Sequence, residues 1–178
     1  NDTICKNSQD KADIYISFNG VDPFTFTLEI DGVLQPSITT TINPYIINTK
    51  VEGSYTLASY NDANEFGSVD GQAIVNVLDP PIARFSALPD SMTIIYTSTQ
   101  FVDKSQGNIV GWQWDFGDNS PTNFSKNPYH TYKDSVAVYQ TSLIVNDDRG
   151  CLDTSFNSVQ ITDEYWVYIP TSFTPDKD

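Results

Sequence analysis

Apolar and polar residues alternate along most of the chain, without the three- and four-residue spacing of an amphipathic helix. Residues 24–30 show this period of two most clearly, and they end at an Asp31-Gly32 turn. Such a pattern is typical of strands that bury one face. It predicts an all-β protein whose strands cover residues 14–18, 24–30, 45–47, 54–60, 73–77, 83–87, 92–96, 100–102, 109–116, 136–145 and 155–161.

The two halves of the chain show the same strand pattern. The run from Tyr55 to the Asn61-Asp62 pair recurs as the run from Tyr139 to Asn146-Asp147. Between the halves lies Asp79-Pro80-Pro81, where two prolines offer no backbone donor to a sheet. We therefore predict two tandem β-sandwiches, residues 1–78 and 82–162, joined by a short proline linker and followed by a truncated C-terminal strand in residues 163–178.

Composition narrows the classes of function. The chain of 178 residues has 9 Lys and Arg against 23 Asp and Glu, a net charge of −14, so it would repel nucleic acid and anionic lipid. No apolar run approaches the roughly 20 residues of a membrane span, so no membrane insertion is expected. With 2 Cys and 1 His, the chain lacks the ligands for a zinc site and the partners for Cys-His catalysis.

One motif carries a family resemblance. Residues 112–120 read WQWDFGDNS and residues 127–132 read NPYHTY, which closely resembles the signature of the PKD (polycystic kidney disease) domain family. The resemblance covers residues 83–161 and implies an immunoglobulin-like sandwich that serves as a non-catalytic spacer or binding module. Asn119 stands where the family usually has Gly, and Asn tolerates the left-handed conformation expected there. The structural motif residues are Trp114, Asp115, Phe116, Gly117, Asp118, Pro128, His130 and Tyr132.

A second resemblance concerns the end of the chain. Residues 168–178 resemble the start of the gliding-motility-associated C-terminal domain, through Ile169, Pro170, Phe173, Thr174 and Pro175. That family is a sorting signal of the type IX secretion system of Bacteroidetes-type bacteria. Residues 1–78 are similar to Ig-like repeats of the same surface proteins. These resemblances imply export to the outer cell surface, with components of the type IX outer-membrane translocon as partners.

Acidic side chains near turns raise the question of calcium, which prefers carboxylate oxygens. The candidates are Asp115, Asp118, Asp147 and Asp148, but no D-x-D-x-D-G loop is present. We favour the interpretation that Asp115 and Asp118 cap the turn around Gly117 by accepting backbone hydrogen bonds. No other metal or cofactor is predicted. His130 is expected to be structural, because no G-x-S-x-G motif accompanies it.

Two tryptophans leave two interpretations open. Trp112 and Trp114 share one strand face, so they could form an exposed platform for stacking sugars, or they could anchor the core together with Phe116. We favour the core. An exposed, coplanar pair of rings on one sheet would support a carbohydrate-binding module instead.

The two cysteines, Cys5 and Cys151, fall in different predicted modules. In the similar Ig-like repeats a second Cys pairs with the early one, but this chain has Phe66 at that position. Bridged Cα atoms must lie within about 7 Å, so we do not expect a bond between Cys5 and Cys151. Cys151 is expected to be a free thiol or the remnant of a lost pair.

These features together predict a non-catalytic stalk of a large exported adhesin, used in gliding motility or surface attachment. Its further partners would be surface polysaccharide or other adhesin domains. One alternative is an accessory pair of PKD and Ig-like modules in a secreted hydrolase. The other alternative is a carbohydrate-binding module.

Overall fold

A computed structural model of the protein describes residues 1–133 and 135–164. These residues form strands and turns, with no helix among them, as the alternating pattern predicts. The chain divides into two compact units, Asn1–Pro80 and Pro81–Asp178. Within the described ranges, the structure contains no helix with the length and hydropathy needed to cross a bilayer.

The first unit contains nine strands. Its larger sheet has the order β1-β9-β7-β3-β4, with β5 also pairing with β3 and β8 with β7, and its smaller sheet contains only β2 and β6. β1 runs parallel to β9. The strands are β1 (Asp2–Cys5), β2 (Ala12–Ile16), β3 (Phe24–Ile30), β4 (Val33–Leu34), β5 (Ile38–Thr40), β6 (Tyr45–Thr49), β7 (Gly53–Asn61), β8 (Phe66–Gly67) and β9 (Ala73–Leu78).

Aromatic rings fill the space between the two sheets of this unit. Phe26 is fully buried, and Phe18 stacks on Phe24 with ring centroids 4.9 Å apart. Tyr60 also stacks on Phe18 at 5.5 Å and lies 6.4 Å from Phe24. The alternation in the sequence places these rings on the inner faces, where each removes a large apolar area from water.

The described residues of the second unit form seven strands in two sheets. One sheet has the order β10-β12-β14 and the other has the order β11-β16-β15-β13. The long hairpin of β15 and β16 is paired along almost its whole length. The strands are β10 (Phe85–Leu88), β11 (Ser91–Thr93), β12 (Ser98–Asp103), β13 (Ile109–Asp115), β14 (Tyr129–Thr131), β15 (Ala137–Asp147) and β16 (Leu152–Thr162).

The core of the second unit is built around Trp114, which has no exposed surface. Phe85 meets its indole edge-on with centroids 5.1 Å apart, and Phe101 lies tilted against it at 5.5 Å. Leu143 and Val145 complete the centre from β15, and both are fully buried. Residues from both sheets therefore enclose one continuous apolar interior.

Several elements differ from the pattern-based prediction. The predicted strand over 92–96 ends at Thr93, because the backbone turns there and the Tyr96 N–H donates to the Thr93 carbonyl at 3.1 Å. The stretch between the predicted strands 54–60 and 73–77 contains the short strand β8. β1, β4, β5 and β14 were not predicted, since two to four residues are too few to show a period of two.

The expectation for the cysteines is wrong. Both Cys5 and Cys151 are disulfide-bonded, and no cysteine of the chain is a free thiol. Cys151 has no exposed surface. The state of a cysteine depends on which sulfur atoms the folded chain brings together, and the assignment of each cysteine to a module does not show this.

The second family resemblance, with Ile169, Pro170, Phe173, Thr174 and Pro175, lies outside the described residues. The secretion signal and its translocon partners therefore stay predictions.

Candidate functional site

The PKD-like motif begins at the tight turn that follows β13. The Gly117 N–H donates to Asp115 Oδ1 at 2.9 Å, and the Ser120 N–H donates to Asp118 Oδ1 at 3.0 Å. Gly117 and Asn119 both have positive φ, 78° and 62°. The two carboxylates therefore cap the turn as the sequence indicates, and Asn119 adopts the left-handed conformation predicted for it.

The strand β14 brings His130 against this turn. His130 Nε2 lies 2.8 Å from Asp118 Oδ2, and the two side chains are only 13% and 8% exposed. Phe116 stacks on the imidazole with centroids 3.9 Å apart, and Tyr132 meets it edge-on at 4.6 Å. The imidazole is thus held on one face, at one edge and at one nitrogen.

Electrostatics favour an ionised Asp118. Burial of the carboxyl opposes ionisation, but hydrogen bonds from Ser120 and His130 favour the charged form more, so the pKa of Asp118 lies below its usual range. Burial raises the pKa of Tyr132 to about 12, against a hydrogen bond with Thr141 that lowers it. The Tyr132 hydroxyl donates to the Phe116 carbonyl at 3.2 Å. This network links the turn to β14 and β15.

The arrangement cross-links β14 to the turn after β13. His130 Nε2 contacts Asp118 and Phe116 covers one face of the imidazole, so two groups of the turn hold the side chain that β14 supplies.

Pro128 completes the motif from the loop before β14. It is buried, and its carbonyl accepts a hydrogen bond from the Phe101 N–H at 2.9 Å. The neighbouring Asn127 accepts from the Asp103 N–H through its side-chain oxygen at 2.8 Å. Pro128 and Asn127 therefore both accept hydrogen bonds from the backbone of β12.

The two tryptophans have different surroundings. Trp114 is fully buried and its indole N–H donates to the Ser125 carbonyl at 2.8 Å, so it cannot stack on a sugar. Trp112 is half-buried against the same core, and its N–H donates to Asp103 Oδ2 at 2.9 Å. Lys126 lies over the Trp112 ring, with Nζ 5.4 Å from the centroid. The platform of two exposed tryptophans is therefore wrong.

The remaining calcium candidates lie in a different turn, between β15 and β16. The buried Asp147 carboxylate accepts the Arg149 and Cys151 N–H groups at 3.0 and 2.8 Å, and it pairs with the Arg149 guanidinium at 2.7 Å. Burial opposes its ionisation, but these partners together lower the pKa of Asp147. In the part of the chain that the structure describes, no three His, Cys, Asp or Glu residues are grouped so as to hold a metal ion.

The sequence pattern did not predict several hydrogen-bond partners in these networks. Thr141, Ser125 and Asp103 are ordinary strand or loop residues whose roles depend on contacts between separate strands. Arg149 is different, because it lies two residues after Asp147 and could have been recognised as the partner within that turn.

The family comparison can now be stated. Residues 79–162 match the family model of the PKD domain. The second unit carries a PKD domain. The match agrees with the sequence resemblance over residues 83–161, and a PKD domain is in itself a non-catalytic module.

Relatives with PKD similarity include two large proteins. The pre-pro-metalloprotease PrtV of Vibrio cholerae serotype O1 is 30% identical over 105 residues, which cover 59% of this chain and 11% of PrtV. The collagenase ColA of Clostridium perfringens is 26% identical over 143 residues, which cover 78% of this chain and 12% of ColA. The chain spans little more than a tenth of the length of these relatives.

Solved PKD domains resemble part of the chain. The PKD1 domain of Vibrio cholerae metalloprotease PrtV is 31% identical, and the match covers 46% of this chain and 95% of that domain with a TM-score of 0.38. The PKD1 domain of Vibrio anguillarum Epp is 26% identical, and the match covers 47% of this chain and 95% of that domain with a TM-score of 0.40.

Proposed function

We propose that this chain is a non-catalytic accessory region of an exported hydrolase. The observation that carries the proposal is the PKD match over residues 79–162, together with relatives that are a metalloprotease and a collagenase. This was the alternative in the sequence analysis, and the relatives favour it over the adhesin.

The chemistry of the motif supports an accessory role. Its aromatic and acidic side chains are used in packing, in turn capping and in the contact between Asp118 and His130. Side chains committed to such contacts stabilise a scaffold and do not face a substrate. The role of the region would be to position or deliver a catalytic domain elsewhere in the protein.

Export is part of the proposal. Disulfides persist mainly in oxidising, extracellular compartments, and both cysteines of this chain are disulfide-bonded. The adhesin stalk stays a second candidate because of the resemblance at residues 168–178. In that case the outer cell surface and the type IX translocon would be the location and the partner.

The test compares the chain with its complete parent protein. The 178-residue chain alone should hydrolyse neither casein, gelatin nor a panel of insoluble polysaccharides. Deleting 81–162 from the parent should lower its hydrolysis of an insoluble polymer while leaving hydrolysis of a small soluble substrate unchanged. Hydrolysis by the chain alone would contradict the proposal, and so would a parent that has no hydrolytic activity.

A further inference from the structure

The smaller sheet of the first unit has an unpaired edge. It contains only β2 and β6, which pair in antiparallel register from Ala12 with Thr49 to Ile16 with Tyr45. No other described strand pairs with β2. A strand edge of this kind presents backbone N–H and C=O groups to any extended chain that approaches it.

Two adjoining cavities follow this edge. One, of about 260 Å³, lies between the second half of β2 and parts of β3, β7 and the loop that enters β9. The other, of about 240 Å³, lies between the first half of β2 and the start of β9. Both are lined by Ile14, Tyr15 and Ala73, so together they form one groove along residues 13–17, which we call the β2 groove.

The lining of the β2 groove combines apolar side chains with polar ones such as Thr56 and Gln72. Ile14, Ile16 and Leu28 are buried core residues that reach its lining, and Leu57 is partly buried beside them. Alternate side chains of an added strand would point towards this lining, since successive side chains of a strand point to opposite faces. The groove therefore suits a peptide with an apolar residue at every second position.

The rim of the β2 groove is acidic. Asp2, Asp13 and Asp70 line it and are exposed, and no Lys, Arg or His is among its lining residues. Their described contacts are with neutral donors, namely the N–H groups of Thr3 and Gly71 and the amide of Asn48. Three carboxylates that take part in no described ion pair favour a cationic partner and disfavour a second copy of this acidic chain.

We propose that the β2 groove binds an extended peptide in which apolar and basic residues alternate, and that the peptide adds a strand to β2. Backbone hydrogen bonds to the free edge would supply affinity. Apolar side chains in the groove and basic side chains at the rim would supply specificity. This inference concerns the first unit and does not depend on the proposed accessory role of the PKD domain.

The first test uses the full chain and a blocked peptide of alternating valine and lysine, as long as β2. Titration should shift the amide NMR signals of residues 12–16 and 73–75 and leave those of the second unit unchanged. The matched peptide of alternating valine and glutamate should bind at least about tenfold more weakly. Equal binding of both peptides, shifts outside the groove, or no binding would overturn the proposal.

Charge-reversal variants separate the effect of the rim carboxylates on peptide binding from the effect of the net charge of the chain. The double variant D13K/D70K should bind the lysine peptide about tenfold or more weakly than wild type, and it should bind the glutamate peptide more tightly. The control D22K/D163K makes the same change in net charge at two exposed positions away from the groove lining. It should bind the lysine peptide with the affinity of wild type. Equal losses in the two variants would contradict a specific site.

N-methylated peptides test the added strand itself. Residues of an edge strand alternate between facing their neighbour and facing solvent. Methylating the amides of all valines, or of all lysines, should therefore abolish binding in one case and spare it in the other. If both methylated peptides bind like the parent, no strand is added. If the β2 signals depend on protein concentration without peptide, a second copy occupies the groove and the proposal is wrong.

Discussion

At the scale of single residues, the turn after β13 depends on the close approach of its backbone to the backbone of β15. A Cβ atom added to Gly117 would lie 2.4 Å from the Gln140 carbonyl oxygen. The sequence predicts the left-handed Asn119, because that preference is local. It could not predict the contact with Gln140 or the stacking of Phe116 on His130, because strand pairing decides both.

Gly117→Ala should therefore destabilise the second unit. Left-handed φ costs a non-glycine residue about 1–2 kcal/mol, and the clash with backbone adds roughly 1–3 kcal/mol. The matched control is Gly150→Ala, where φ is 87° but no atom lies within 4 Å of the added Cβ. Urea unfolding followed by tryptophan fluorescence should show the larger loss for Gly117→Ala, and equal losses would refute the close approach.

Asp118 gives the second unit a dependence on pH. Because its pKa is lowered in the folded state, its contribution to stability is complete above the usual value of 3.8 and is lost as pH falls below it. Wild type should exceed Asp118→Asn in free energy of unfolding at neutral pH, and this difference should shrink on acidification below about pH 4. Urea unfolding at several pH values measures it. A difference that stays constant across this range would contradict an ionised Asp118.

At the scale of elements, the repeat seen in the sequence has a structural counterpart. Asp62 directly after β7 accepts the Val21, Asn64 and Glu65 N–H groups, as Asp147 at the end of β15 accepts those of Arg149 and Cys151. The bounds of β3 were predicted to the residue, and those of the longer strands β7, β15 and β16 to within about three residues. The short strands were not, because their pairing comes from neighbours and not from their own sequence.

Asp147→Ala should loosen the turn between β15 and β16. The Arg149 and Cys151 N–H groups would lose their carboxylate acceptor, so their amide hydrogens should exchange faster than in wild type. Asp147→Asn is the control, since it retains an oxygen acceptor but loses the charge that pairs with Arg149. Its exchange rates should fall between those of wild type and the alanine variant. Unchanged exchange in Asp147→Ala would show that the carboxylate does not hold this turn.

At the scale of the whole molecule, two all-β units are combined with a net charge of −14 and bonded cysteines. The sequence was sufficient for the fold class and for the PKD motif, because both depend on local patterns. It was insufficient for the state of the cysteines, which depends on tertiary distance.

The cysteine assignment predicts a simple labelling result. Denatured protein without reductant should not react with iodoacetamide, whereas reduced protein should take up label at both Cys5 and Cys151. Intact-mass spectrometry separates the two states. Labelling before reduction would show free thiols and would remove the support that the disulfide gives to export.

The central claim is that the aromatic motif of the PKD domain is interior packing. Its most direct test is the free energy of unfolding of Trp114→Ala, measured by urea titration followed by circular dichroism, with Trp112→Ala as the comparison. Because Trp114 is fully buried and Trp112 only half-buried, we expect a loss of about 3–5 kcal/mol for Trp114→Ala and a clearly smaller loss for Trp112→Ala. A Trp114→Ala variant as stable as wild type would contradict the claim.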